Sequence, residues 1–363
     1  MKQRVILLIG KDLGKLEESW LKYWNKENHD RPAMIITAPK DGAVWENIKA
    51  PENIKDRWMD IEYQIKTKRM WMNCVYFGAE AFPVWSPDLG PDLIGAVCGC
   101  DIEFGESTSW ALHNVTDWKS YKELSFDENN YWWKKIEEMT KAAIDDSNGD
   151  YLVGVTDLHP GTDGLVSLRG PEELCMDIFD CPEVINPRID QMFGVYKEIF
   201  NRLSAIIKTK QKGSTNWMSV WHPEKDWYIP SSDFSCLINE EQYSEFVVPG
   251  ILNELDFLDA SIYHLDGPGA LHHLDAILGF EKLTGVQWVQ GSGSPPAREW
   301  LDVYKKIQNS GKNILANCEP EDIEILCENL NPEGVCMCVT ASSQSEADDL
   351  IALAEKTTKN RKR

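Results

Sequence analysis

A histidine and an aspartate stand two positions apart at the end of an apolar run. The run begins at Ser261 and ends in His264, Leu265 and Asp266. Residues two apart on a β-strand point to the same face, so His264 and Asp266 are expected to be presented together. A Gly-Pro-Gly turn and a helical pattern follow them. Parallel α/β folds place their chemistry at this end of a strand, which favours a functional pair over a hydrogen bond that only anchors the loop.

Other polar side chains follow further apparent strands. If those strands are parallel, their carboxyl ends share one opening and the side chains meet there. Three of the seven histidines fall at such ends. In chain order the set comprises Asp157, His159 and Asp163 after a strand at 151–156, His222 after a strand at 217–221, Asp233 in the loop 230–235, Gln290 after a strand at 286–290, Asn317 and Glu319 after a strand at 313–317, and Cys336 and Cys338 on a strand at 335–340.

One chemistry that this set allows is that of a metal ion. Zinc binds histidine nitrogen, cysteine sulfur and carboxylate oxygen, and a catalytic zinc site keeps one position open. His264, Asp266 and Cys336 or Cys338 would supply three ligands, and the ion would acidify a bound substrate thiol. The cysteines form a Cys-x-Cys pattern, so side chains that simply face the core of a strand are the alternative.

The other chemistry is acid–base catalysis without a metal. A buried carboxylate such as Asp157 or Asp233 can hold a cationic intermediate or pass a proton, with His264 as its partner. The residues predicted to be catalytic are Asp157, His159, Asp233 and His264, and those predicted to bind a cofactor are His222 and Gln290.

Strands and helices alternate along the second half of the chain. Four βα units at a spacing of roughly 25 residues require parallel strands with helical crossovers. The sequence contains neither a Gly-x-Gly-x-x-Gly motif after a first strand nor a Walker motif, which favours a closed (β/α)8 barrel over an open doubly wound sheet. We predict an α/β protein with a single TIM-barrel domain over 1–363, in which 1–80 form an N-terminal helical extension and the first strand. The predicted strands at 261–265, 286–290, 313–317 and 335–340 lead to helices at 270–282, 296–309, 320–329 and 344–357.

Composition narrows the class of protein. A net charge of −22 argues against a nucleic-acid groove, because phosphate backbones are bound by lysine and arginine. No run reaches the ~18 apolar residues of a membrane span, so no membrane association and a cytoplasmic location are expected. The fifteen tryptophans are many for this length. Those near apparent strand ends would line a pocket for a ring-shaped ligand or pack in the core, and they are Trp85, Trp217, Trp221, Trp227 and Trp288.

Three stretches resemble the uroporphyrinogen decarboxylase superfamily, and the likeness covers roughly 80–350. The segment 151–183 is similar to the strand, small-residue loop and helix that precede an Asp-x-Pro-Glu sequence in that superfamily. The segment 231–249 resembles its loop with an aspartate, Asp233 here, followed by a helix ending in Phe-x-x-Pro. The sequence His-Leu-Asp-Gly at 264–267 matches its His-x-Cys-Gly motif, with Asp266 in place of the cysteine.

The resemblance implies a (β/α)8 barrel with one of two activities. One is cofactor-free decarboxylation of acetate side chains on a tetrapyrrole, and the other is zinc-dependent methyl transfer between a corrinoid and a thiol such as coenzyme M. The decarboxylase's Arg-Gln-Ala-Gly-Arg loop is absent from 31–42, which favours the methyltransferase branch. We therefore expect a small-molecule substrate, zinc, and a corrinoid carried by a partner protein. The alternatives are a decarboxylase or lyase acting on a polycarboxylate, and a non-catalytic or sugar-binding barrel.

Overall fold

A seven-stranded, mostly parallel sheet forms the centre of this α/β protein. The computed structural model of the chain describes residues 7–8 and 11–361. Strands β1 (Ala33–Pro39), β2 (Val75–Ala79), β7 (Trp227–Tyr228), β8 (Ala260–Asp266), β9 (Gly285–Val289), β10 (Asn313–Asn317) and β11 (Val335–Thr340) pair in the order β2-β1-β11-β10-β9-β8-β7. All neighbours are parallel except β1 and β2. The predicted βα units of the second half are therefore confirmed.

The other strands form short separate ladders. Strand β3 (Val84–Trp85) pairs in parallel with β6 (Leu152–Val153), and β4 (Asp101–Phe104) forms a hairpin with β5 (Ser109–Leu112). A single parallel bridge joins Val155 to Asn216. Within the described residues these ladders do not connect with the seven-stranded sheet into a closed ring, so the α/β class is confirmed and the closed barrel is not.

Helices cover the sheet and its ends. They are α1 (Leu13–Trp24), α2 (Ile54–Met59), α3 (Ile61–Cys74), α4 (Leu93–Cys98), α5 (Tyr131–Ser147), α6 (Gly161–Arg169), α7 (Pro171–Asp180), α8 (Ile185–Ile207), α9 (Glu240–Gln242), α10 (Val248–Phe257), α11 (Leu274–Leu278), α12 (Leu301–Asn309), α13 (Asp322–Asn329) and α14 (Gln344–Arg361). A turn of π-helix at Tyr243–Val247 joins α9 to α10, and 3-10 turns at Pro182–Val184, Asp233–Leu237, Pro268–His273 and Ala297–Trp300 precede or connect helices. None of the helices in the described part is both long and apolar enough to cross a membrane.

Local hydrogen bonds set the start of α5 and explain one difference from the sequence prediction. Helix α5 begins at Tyr131, because the Asn130 side chain accepts the backbone N–H groups of Trp132 and Trp133 and caps the helix there. The strand expected at 217–221 is instead a turn. Ser219 has a φ of 56° and donates its N–H to the carbonyl oxygen of Asn216, so the chain reverses where a strand would continue.

Helix α1 closes the sheet at the end where the parallel strands begin. Asn313, the first residue of β10, donates its side-chain amide to the Tyr23 carbonyl oxygen at 3.0 Å. The Trp24 ring contacts the ring of Trp227, the first residue of β7. The amino ends of these strands are thus covered by aromatic side chains, and the carboxyl ends remain for a site.

Candidate functional site

Three side chains at the carboxyl end of β8 bring metal-ligating atoms together. Asp233, His264 and Asp266 each offer one atom, and these atoms lie within 4.8 Å of one another. His264 and Asp266 stand two apart on β8 and share a face, as expected. Asp233 joins them because Ser231 pairs in parallel with His264. Among the described residues, this Asp-His-Asp cluster is the group of three side chains whose ligand atoms lie close enough to hold one metal ion.

The His264 ring is oriented by its neighbour on β9. Its Nδ1 donates a hydrogen bond of 2.6 Å to the side-chain oxygen of Gln287, the residue directly opposite it on β9. Trp217 packs against the ring edge-on, with centroids 5.4 Å apart. In the neutral ring, a proton on Nδ1 leaves the lone pair on Nε2, which is the tautomer that a metal-ligating histidine needs.

The two predicted cysteine ligands do not belong to the cluster. Cys336 lies at the same height in the sheet as His264. Two strands, β9 and β10, lie between the strands that carry these two residues. Cys336 is fully buried, and burial together with Cys338 raises the pKa of its thiol well above the ordinary value. Cys338 lines a cavity of about 360 Å³ with Gln290, Asn317 and Thr340. The structure thus places Asp233, and neither cysteine, beside His264 and Asp266.

A row of Asp157, His159 and Ser231, joined by an ion pair and a hydrogen bond, lies next to the cluster. His159 Nε2 is 2.9 Å from Asp157 Oδ1, and its Nδ1 is 2.9 Å from Ser231 Oγ. Burial alone would lower the pKa of His159, but Asp157, with Asp163 and Asp233 nearby, outweighs burial and raises the pKa to about 10. The ring is therefore a cation at neutral pH, which orients neighbours and donates protons but does not accept one.

Asp163 connects this row to the cluster. Its two carboxylate oxygens accept the backbone N–H groups of Asp233 and Phe234, at 2.9 and 3.0 Å. Burial, with Asp233 nearby, raises the pKa of Asp163 to about 6. Behind it, burial raises the pKa of the fully buried Glu254 well above its ordinary value. Two carboxyl groups, one at the opening and one buried behind it, therefore have an increased proton affinity, as acid–base chemistry requires.

The predicted catalytic residues converge, but one predicted cofactor contact does not. Asp157, His159, Asp233 and His264 lie in one connected set through Ser231. His222 instead lies at the opposite, amino end of the strands, where its ring packs 4.9 Å from that of Trp24. Its Nδ1 accepts the N–H groups of Glu224 and Lys225, and burial, with Lys225, lowers its pKa to about 4. The prediction that His222 shares the opening is wrong, because the chain turns back at Ser219.

The tryptophans fall mostly in the core. Of the five tryptophans predicted to line a pocket or pack in the core, Trp217 packs against His264 and Trp85 lines a cavity. The other three are buried in the core, and they are Trp221, Trp227 and Trp288.

Sequence reasoning assigned no role to two residues that hold the site together. Gln287 is polar within the otherwise apolar strand Gly285–Val289, and that contrast was the available signal. Ser231 was visible only as part of a polar loop, and its contact with His159 spans 72 positions. Nothing in the local pattern could indicate such a contact.

Comparison with known proteins places the fold. No protein-family model matches this sequence, and no curated protein matches it. Among solved structures, a methyltransferase from Methanosarcina mazei superposes with a TM-score of 0.60 and 12% sequence identity, over 94% of this chain and 98% of that chain. At this identity the likeness concerns the fold, and this chain is an α/β protein similar in fold to that methyltransferase.

Proposed function

We propose that the protein is a metal-dependent enzyme of the methyltransferase type, with its centre at the Asp-His-Asp cluster. The observation that carries the proposal is the convergence of Asp233, His264 and Asp266 within 4.8 Å at the carboxyl end of a parallel strand. The fold likeness to a methyltransferase supports the type of reaction. We further propose that the seven-stranded sheet and the short strand pairs outside it together form a (β/α)8 barrel of the uroporphyrinogen decarboxylase superfamily. The likeness in fold supports this proposal.

The donor set fits zinc. One imidazole and two carboxylates are among the ligands that zinc uses, and three protein ligands leave a position for an acceptor. Gln287 accepts a hydrogen bond from His264 Nδ1 and so orients the ring, as the partners of metal-binding histidines do. Bound zinc would supply Lewis acidity that favours the thiolate form of an acceptor. Carboxylates in place of cysteine thiolates make the proposed site harder than one with two sulfur ligands.

The side chains of the opening would serve the transfer in distinct ways. In the proposed reaction a sulfur–carbon bond forms and the cobalt–carbon bond of a corrinoid breaks, with its electron pair left on cobalt. The thiol proton must pass to a base, and Asp163, whose pKa is raised, would serve as that base. His159, as a cation held by Asp157, would orient Ser231 and the backbone of β8 behind it. The corrinoid would arrive on a partner protein.

An acidic opening disfavours the alternative of polycarboxylate decarboxylation. Asp157, Asp163, Asp233 and Asp266 face two histidines, so a substrate with several carboxylates would meet like charge. This is the reason for preferring methyl transfer over lyase chemistry.

Metal analysis tests the proposed centre. Purified protein incubated with zinc and desalted is expected to retain about one equivalent, and His264→Ala, Asp233→Asn and Asp266→Asn are expected to lose most of it. Cys338→Ser is the matched control, because Cys338 lies outside the cluster, and it should retain zinc. Zinc retention by all three variants, or its loss in Cys338→Ser alone, would show that the cluster is not the metal centre.

Turnover tests the reaction type. Zinc-loaded protein is expected to demethylate methylcobalamin in the presence of coenzyme M, which the absorption spectrum of the cobalamin reports. The His264→Ala variant is expected to abolish this spectral change. If the zinc-loaded protein demethylates methylcobalamin no faster than coenzyme M does without protein, methyl transfer between these two compounds is contradicted.

A further inference from the structure

A cavity of about 650 Å³ lies between helix α3 and the ends of β3 and the β4–β5 hairpin. It has the size of a small-molecule site. Its wall includes the side chains of Trp58, Tyr63, Lys68, Trp71, Ser86 and Asp88. We refer to it as the α3 cavity. None of these residues takes part in the Asp-His-Asp cluster.

The inner wall of the α3 cavity reaches the opening of the candidate site. Ser86 and Asp88 follow β3, whose parallel partner β6 leads to Asp157. Ser86 packs directly on Gly154, where a Cβ atom would lie 2.0 Å from its Oγ. Burial, with Asp157 nearby, raises the pKa of Asp88 to about 6. The inner wall of the cavity is therefore close to Asp157.

One cation in the cavity wall is left without a salt bridge. Arg57 is neutralised, because its guanidinium Nη1 donates to both carboxylate oxygens of Glu106 at 3.1 and 2.8 Å. No salt bridge or hydrogen bond to the Lys68 ammonium occurs among the described residues, and the charge that influences it is that of Asp88. Desolvation in the concave wall lowers the pKa of the Lys68 ammonium, although the residue as a whole is exposed. An ammonium in a concave wall attracts an anionic group.

The rest of the wall suits a flat ring. The Trp58 ring is fixed by an Nε1–H bond of 2.9 Å to the Gly105 carbonyl oxygen and packs on Phe104. Trp71 packs edge-on against Phe77 and keeps 38% of its surface exposed. Ordered rings with an accessible face stack on aromatic ligands.

We propose that the α3 cavity is the binding site for an aromatic carboxylate, with the ring against Trp58 and Trp71 and the carboxylate on Lys68. The inference goes beyond the proposed function and does not depend on it, because the α3 cavity shares no residue with the Asp-His-Asp cluster. The binding itself depends only on the cavity wall.

Calorimetric titration with three naphthalene probes at pH 7.5 tests the proposal. We expect 2-naphthoate to bind, and its neutral and cationic counterparts, 2-naphthamide and 2-naphthylmethylamine, to bind at least tenfold more weakly. Lys68→Met should weaken 2-naphthoate by about tenfold or more, since it removes a charge-assisted contact. Lys66→Met, two residues earlier on α3 and outside the cavity wall, is the control and should bind as the unmodified chain does. Trp71→Ala should weaken all probes that bind.

Three outcomes would overturn the inference. They are no heat of binding for 2-naphthoate up to a few millimolar, equal binding of the amide or the amine, and unchanged 2-naphthoate affinity in Lys68→Met with a native circular dichroism spectrum. The titration measures binding without turnover or metal. A negative result therefore leaves the proposed metal centre standing, and failure of zinc binding leaves a positive titration intact.

Discussion

At the scale of single residues, the charge state of His159 organises the opening. Asp157 on one ring nitrogen and Ser231 on the other fix the ring in place. A cationic ring cannot be a general base at neutral pH, so proton acceptance falls to carboxyl groups. The site therefore separates a positioning histidine, His159, from His264, which we propose as a metal ligand.

The raised pKa of His159 predicts a particular pH dependence of stability. Because the folded-state pKa is above the unfolded value of ~6.5, the stabilisation is fully present below that pH and is lost as pH rises through about 10. The contribution is on the order of 2 kcal/mol, as for a hydrogen bond to a charged group. Urea unfolding from pH 6 to 10.5 of the unmodified chain and of His159→Gln measures it. The difference in unfolding free energy should shrink across that range.

Asp157→Asn supplies the control for this interpretation. Asp157 is the main charge that raises the pKa of His159. In its absence, the stabilisation by His159 should be lost at a lower pH than in the unmodified chain. A pH-independent difference between the unmodified chain and His159→Gln would mean that His159 is neutral and acts by packing alone.

At the scale of elements, the candidate opening depends on how closely β3, β6 and the segment near Asn216 approach one another. Gly154, just after β6, lies between them. A Cβ atom there would be 2.0 Å from Ser86 Oγ and 3.0 Å from the Asn216 Cα atom. The short ladders outside the main sheet are therefore held together by a position that only glycine fits.

Gly154→Ala is expected to destabilise the protein by about 1–3 kcal/mol, the usual cost of overpacking. Equilibrium urea unfolding measures the change, and Ser86→Gly in the same chain should restore part of the loss. Gly194→Ala is the control. It lies within α8 with no neighbouring atom within 4 Å of the added Cβ, so it should stabilise by up to about 1 kcal/mol through helix propensity. Equal stability of Gly154→Ala and the unmodified chain would show that the strands have room to separate.

At the scale of the whole molecule, α1 and the sheet form one packed unit. Trp20 and Tyr23 are fully buried, and Trp24 donates its Nε1–H to the Trp221 carbonyl oxygen at 2.9 Å. The Arg31–Glu80 pair joins the loop after α1 to the end of β2, and the two terminal guanidinium nitrogens of Arg31 donate to the carboxylate. The amino ends of the strands are thus sealed by a helix that precedes the first strand of the sheet.

Trp20→Ala is expected to cost about 3–5 kcal/mol, the range for a buried large-to-small replacement. Thermal unfolding followed by circular dichroism should show one transition at lower temperature, because α1 and the sheet unfold together. Glu18→Ala, at an exposed position on the same helix, should leave the transition unchanged. A separate early transition confined to Trp20→Ala would indicate that α1 docks as an independent element.

Much of the second half of the fold follows from local pattern. Strands such as Asn313–Asn317 and Val335–Thr340 were predicted with their observed bounds, because a buried parallel strand is a continuous apolar run between turn residues. The same logic placed His264 and Asp266 on one face. The first half was less predictable, since several of its strands, such as Val84–Trp85 and Leu152–Val153, have only two residues and its loops are held by contacts between distant residues.

The sequence by itself determined the α/β class, the parallel strands of the second half and the pairing of His264 with Asp266, since these depend on periodicities within a few residues. Tertiary structure alone decided that Asp233 rather than a cysteine joins them, that Gln287 orients the histidine, and that His222 lies at the other end of the sheet. Those outcomes depend on strand register and on turns such as that at Ser219. A register fixes which distant side chains meet, and no local pattern contains that information.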